Sequence, residues 1–88
     1  MFKEPTPQQA SEARDLIEAF AAACGVGLYA SARYIGVAEA SWKGYATGAR
    51  VMPLYVERSI KAHLALAQAD PRQFRAIVDE ARQLQQRP

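Results

Sequence analysis

The side chains best suited to nucleophilic attack or metal binding are Cys24 and His63, and each is the sole residue of its type in the chain. One cysteine forms no internal disulfide, and one cysteine with one histidine makes no zinc set. Cys24 closes an apolar helical face just before Gly25, so a buried structural thiol is expected there rather than a reactive thiolate. No nucleophile or orienting carboxylate stands at a telling spacing around His63, which reads as a partly exposed helix histidine. No paired acid and base and no phosphate loop is present either. The sequence therefore points to no enzyme, no bound metal and no cofactor.

What remains is charge and its placement. The net charge of +2 is small, but it is unevenly spread. Residues 1–27 carry Lys3 and Arg14 against Glu4, Glu12, Asp15 and Glu18. Residues 28–63 carry Arg33, Lys43, Arg50, Arg58 and Lys61 against Glu39 and Glu57 alone. A basic middle segment is the footprint a polyanion such as DNA requires. A merely solvated charged face is the plainer explanation of the same pattern.

The elements that must position these charges are helices. In the stretch 32–50 a small residue, Ala32, stands four positions before Gly36. Large apolar residues follow at Val37, Trp42 and Tyr45, and Gly48 ends the pattern just before Arg50. The spacing asks for two short helices crossing closely at a sharp turn, with Gly36 supplying a positive φ at the corner. Trp42 and Tyr45, three apart, turn an aromatic face into the core. This is the spacing of a helix-turn-helix.

Around that pair the chain reads as three further helices. Thr6-Pro7 is a cap followed by proline at the first helical position. Apolar residues then recur at Ala13, Leu16, Ile17, Phe20, Ala21 and Cys24 until Gly25-Val26-Gly27, the rhythm of one buried face. The second helix is expected over 28–35 and the third over 38–47. Pro53 marks a fourth start, with Val56, Ile60, Leu64 and Ala67 on one face and Leu54 and Leu66 widening it. Asp70-Pro71 repeats the cap-plus-proline signal. The fifth helix, over 71–86, carries a seam of Phe74, Ile77, Val78, Ala81 and Leu84. No hairpin-like alternation appears.

The expectation is an all-α, five-helix domain spanning residues 6–88 after a loose arm over 1–5. Half of the 88 residues are apolar and 23% are charged, as in ordinary globular chains. The longest apolar run, Ala19 to Cys24, is too short to cross a bilayer. No signal-peptide pattern opens the chain, so a cytoplasmic protein without membrane contact is expected. A core this small gains from dimerisation. The fifth-helix seam is the candidate interface, unless that helix completes its own subunit's core.

With Ala32, Gly36, Val37, Trp42, Tyr45, Gly48 and Arg50 in register, residues 12–68 resemble the Cro/cI-like (XRE-like) helix-turn-helix repressors. The run G-A-R-V-M-P is similar to that of small phage- and plasmid-borne transcriptional regulators. The resemblance implies a lambda-repressor-like fold whose third helix enters the major groove. It places Ala38, Glu39, Ala40, Lys43 and Gly44 against base edges. Lys43 would donate to guanine, Glu39 would accept from cytosine, and Ala40 would pack on a thymine methyl. Phosphate contacts would fall to Tyr29 and Ser31 on the second helix and to Thr47 and Arg50 after the third, with Arg33 and Arg58 adding attraction.

The chain departs from that pattern in three places. Leu28 stands where many members open the second helix with glutamine, and Ala38 where many cap the third with serine or threonine, at a cost of about 1 kcal/mol. Gly44 costs about 1 kcal/mol against alanine within a helix. Either it admits the DNA backbone closely, or no base is read there. Glu39 is equally two-sided, since a helix N-terminus favours a carboxylate without DNA.

The function implied is sequence-specific transcriptional repression by a homodimer on a palindromic operator in double-stranded DNA, with half-sites about 34 Å apart. The alternative is a protein-binding module, an antitoxin, anti-activator or inhibitor, that uses the same fold to grip a protein partner. The small side chains on the third helix and the modest net charge favour that alternative somewhat.

Overall fold

The first helix, α1 (Pro7–Cys24), begins where the side chains say it should. Thr6 Oγ1 accepts from the Gln9 backbone N–H at 3.1 Å, and Gln9 Oε1 accepts from the Thr6 N–H at 2.9 Å. Two otherwise unpaired donors are satisfied reciprocally at the helix start. The buried face is Ala13, Ile17, Phe20, Ala21 and Cys24. The computed structural model describes residues 4–85. Residues 1–3 of the expected arm and residue 86 of the expected fifth helix lie outside the described residues.

The second helix, α2 (Ala32–Ile35), is a single turn rather than the eight residues expected. The reason is competition for one acceptor. An α-helix through residues 28–32 needs the Leu28 carbonyl for the Ala32 N–H. That carbonyl instead accepts from Ser31 Oγ at 2.6 Å and from the Trp42 indole N–H at 3.2 Å. The Ala32 N–H turns to the Tyr29 carbonyl, and the Arg33 N–H to that of Ala30, both at 3.3 Å. Side-chain bonds of this kind hold the backbone in tighter i→i−3 turns. Gly36 then takes φ 80°, and its N–H and that of Val37 both reach the Ala32 carbonyl.

The third helix, α3 (Glu39–Thr47), opens one residue later than expected, because Ala38 is extended and offers no side-chain cap. The fourth, α4 (Leu54–Ala69), follows Pro53, which stands as the capping residue just outside it. Asp70 ends α4 and starts α5 (Pro71–Gln85), where its carboxylate accepts from the Gln73 N–H at 3.1 Å.

α1 packs on α4 and α3, while α5 packs on α4 and α2. The core joins Ile17, Phe20, Cys24, Trp42, Val56, Ile60, Phe74 and Val78 from four of the helices. The Phe20 ring meets Trp42 and His63 edge-on, with centroids 6.1 and 5.7 Å apart. Among the described residues there is no strand, and no helix is long and apolar enough to cross a membrane.

Two expectations about apolar residues are corrected. Leu54 does not widen the buried stripe of α4; it is 65% exposed, since it stands two positions before buried Val56 and so points away from the face that Val56 and Ile60 share. The α5 seam is not a free interface. Phe74 and Val78 are buried in their own subunit, Ile77 and Ala81 are half-buried, and of the five only Leu84 is exposed. The helix folds back onto α4 and α2, where Phe74 and Val78 join the core cluster.

Candidate nucleic-acid interface

α3 is oriented by what it buries. Trp42, Tyr45 and Ala46 point into the core, and the Trp42 indole N–H donates to Ser31 Oγ at 3.0 Å as well as to the Leu28 carbonyl. An indole with both its apolar body and its polar edge satisfied fixes the helix against rotation. Its opposite side carries Ala40, Lys43 and Thr47, all exposed, with half-buried Gly44 between them. Their spacing of three and four residues places them on one face.

The charges around this face are held by partners within the chain. The Lys43 ammonium sits 5.8 Å from the centre of the half-buried Tyr29 ring, within range of a cation–π attraction. Arg33 Nη2 lies 4.0 Å from Glu39 Oε2. Both are solvent-exposed, so the pair contributes less than about 1 kcal/mol. Glu39 also occupies the first turn of α3, where the helix dipole favours a carboxylate.

Arg50 takes a position that spacing did not reveal. The Ala49 and Arg50 N–H groups both donate to the Gly44 carbonyl, at 2.9 and 3.1 Å, which folds the chain back on the last turn of α3. The Arg50 side chain then runs across Gly44, and Nη1 donates to Ser41 Oγ at 3.3 Å. A Cβ on Gly44 would meet Arg50 Cδ at 3.0 Å and Cγ at 3.1 Å.

The structure thus brings together Tyr29 with Lys43, Arg33 with Glu39, and Gly44 with Arg50. It removes Ser31 from the expected phosphate contacts. Its side chain is wholly buried, with its hydroxyl bonded to Leu28 and Trp42. The Thr47 hydroxyl proton goes to the Lys43 carbonyl at 2.9 Å. Ser41 was missed; its signal is a hydroxyl three residues before a glycine that a basic residue follows beyond the turn.

Cys24 is buried, and burial pushes its thiol up to about 11 from an ordinary 9.0, with Arg75 pulling weakly the other way. His63 is half-buried, its Nδ1 donating to the Ser59 carbonyl at 2.7 Å. Among the described residues every buried side-chain nitrogen and oxygen has a partner. No family model, curated protein or solved structure matches the chain.

Proposed function

We propose that the chain is a sequence-specific DNA-binding repressor, a helix-turn-helix in which α2, Gly36 and α3 form the motif and α3 enters the major groove. One observation carries the reading. α3 spends its aromatic face on the core and leaves Ala40, Lys43 and Thr47 to solvent, with half-buried Gly44 between them and Arg33 and Arg50 beside them. Small side chains let a helix approach base edges, and flanking cations answer the phosphates. The spacing of Ala32, Gly36, Trp42 and Gly48, similar to that of the Cro/cI-like repressors, supports the same reading.

Operator readout by one short helix is limited to a few base pairs, so we take the acting form to be a homodimer on a palindrome. The surface left for it on α5 is Leu84, 55% exposed, beside half-buried Ile77 and Ala81.

The test is selection of bound sequences from a random duplex pool, followed by titration of selected and scrambled duplexes at several salt concentrations. The expected result is preference for a two-fold symmetric site and affinity that falls as salt rises, because phosphate contacts release counterions. Absence of binding to any duplex at low salt overturns the reading. A protein-binding role then takes its place. Val51, Leu54 and Tyr55 favour it, being apolar and 37, 65 and 74% exposed around the start of α4.

A further inference from the structure

We infer that Arg50 is a base-reading residue on the face of α3, and that Gly44 is the positioning residue that aims it there. The inference rests on the DNA-binding reading above and goes beyond it, because a basic residue following the third helix was expected to hold a phosphate. Three observations on independent atoms support the assignment. The root of Arg50 is fixed, since its N–H is tied to the Gly44 carbonyl at 3.1 Å. Its stem lies against the space where Gly44 lacks a side chain, with Cδ and Cγ at 3.0 and 3.1 Å from the Cβ position. Its guanidinium ends at Ser41 Oγ, 3.3 Å away, one turn nearer the N-terminus of α3.

The side chain therefore runs back along α3 toward the helix end that meets base edges in this mode of docking. A guanidinium carries five N–H donors in a planar fork. One is engaged by Ser41, and the remainder include a pair suited to guanine O6 and N7. Holding the fork in one orientation before binding reduces the ordering cost on contact. This also explains a helix-interior glycine from within the chain. An alanine there would favour the helix, but its methyl would displace the middle of the Arg50 side chain rather than a freely moving tip.

A double-mutant cycle tests the pair. Arg50→Ala is expected to lower affinity for the selected operator about 10- to 100-fold more than for scrambled duplex. Gly44→Ala is expected to reproduce most of that loss when Arg50 is present and almost none of it in the Arg50→Ala background. Equal losses on both duplexes from Arg50→Ala return Arg50 to a phosphate clamp and overturn the inference. A Gly44→Ala loss that persists without Arg50 also overturns it, since the methyl would then be striking DNA directly.

Denaturation of the free proteins is the second readout. Gly44→Ala should raise the unfolding midpoint more in the Arg50→Ala background than in wild type, and equal shifts overturn the packing on which the inference stands. Wild-type protein that binds no duplex at low salt fails the DNA reading itself, a result the cycle separates from failure of the Gly44–Arg50 pair.

Discussion

Within the nine residues of α3, Trp42, Tyr45 and Ala46 are buried while Ala40, Lys43 and Thr47 face solvent. The buried side is held by burial of apolar area and by hydrogen bonds with no solvent competitor, as between the Trp42 indole and Ser31. The exposed side is held by weaker contacts at its edges, the Lys43 ammonium over Tyr29 and the Arg50 fork on Ser41. Stability rests on one side of the helix, and the proposed DNA recognition would use the other. Substitutions on the two sides should separate cleanly in what they change.

The largest effect is expected from Trp42→Ala, which removes the largest fully buried side chain and should cost about 3–5 kcal/mol of stability by chemical denaturation. A variant as stable as wild type that loses only DNA binding would mean that Trp42 belongs to the recognition side, and the division of faces would fail.

Cys24, in the same core cluster as Trp42, offers a pH test of the buried side. Its thiol is held up to about 11 in the folded protein, against 9.0 when unperturbed. The unfolded chain therefore releases this proton first. Its contribution is fully present below pH 9 and is lost as pH rises from 9 toward 11, by roughly 2–3 kcal/mol at most. The expected outcome is a steeper alkaline loss of stability in wild type than in Cys24→Ala. Identical slopes would show that the thiol is reached by water in the native state.

On the exposed side, Lys43→Ala should leave stability within about 0.5 kcal/mol of wild type. It should weaken the selected operator by about 1–3 kcal/mol more than scrambled duplex in titrations. Ser31→Ala sharpens the comparison from the other direction, because Ser31 lies next to the turn yet serves the core. It should cost about 1 kcal/mol of stability and leave the salt dependence of DNA binding unchanged. A lowered salt slope would restore Ser31 as a phosphate contact.

The smallest effect on folding is expected from Leu84→Asp. α5 repeats the two-sided arrangement, with Phe74 and Val78 inward and Leu84 outward. The substitution should leave the unfolding midpoint near that of wild type and dissociate the proposed homodimer in sedimentation. A wild-type protein that stays monomeric at high micromolar concentration removes α5 as an interface.

The sequence by itself determined the elements, because the signals for starting and stopping a helix are local. Thr6 with Pro7, Asp70 with Pro71, and the turns at Gly36 and Gly48 act within four residues of the groups they satisfy, so five helices could be read from the chain. The inward faces of α1 and α3 were legible for the same reason, since periodicity alone places Phe20 beside Cys24 and Trp42 beside Tyr45. Only the tertiary structure decided the rest. Ser31 left the surface because Trp42, eleven residues away, needed an acceptor and shared the Leu28 carbonyl, which also cut α2 to one turn. Phe74 and Val78 left the expected dimer seam because distant helices offered them a core. Arg50 reached Ser41 because the chain beyond Gly48 turned back on α3. Each of these outcomes depends on which groups meet across the fold, and no local spacing encodes that meeting.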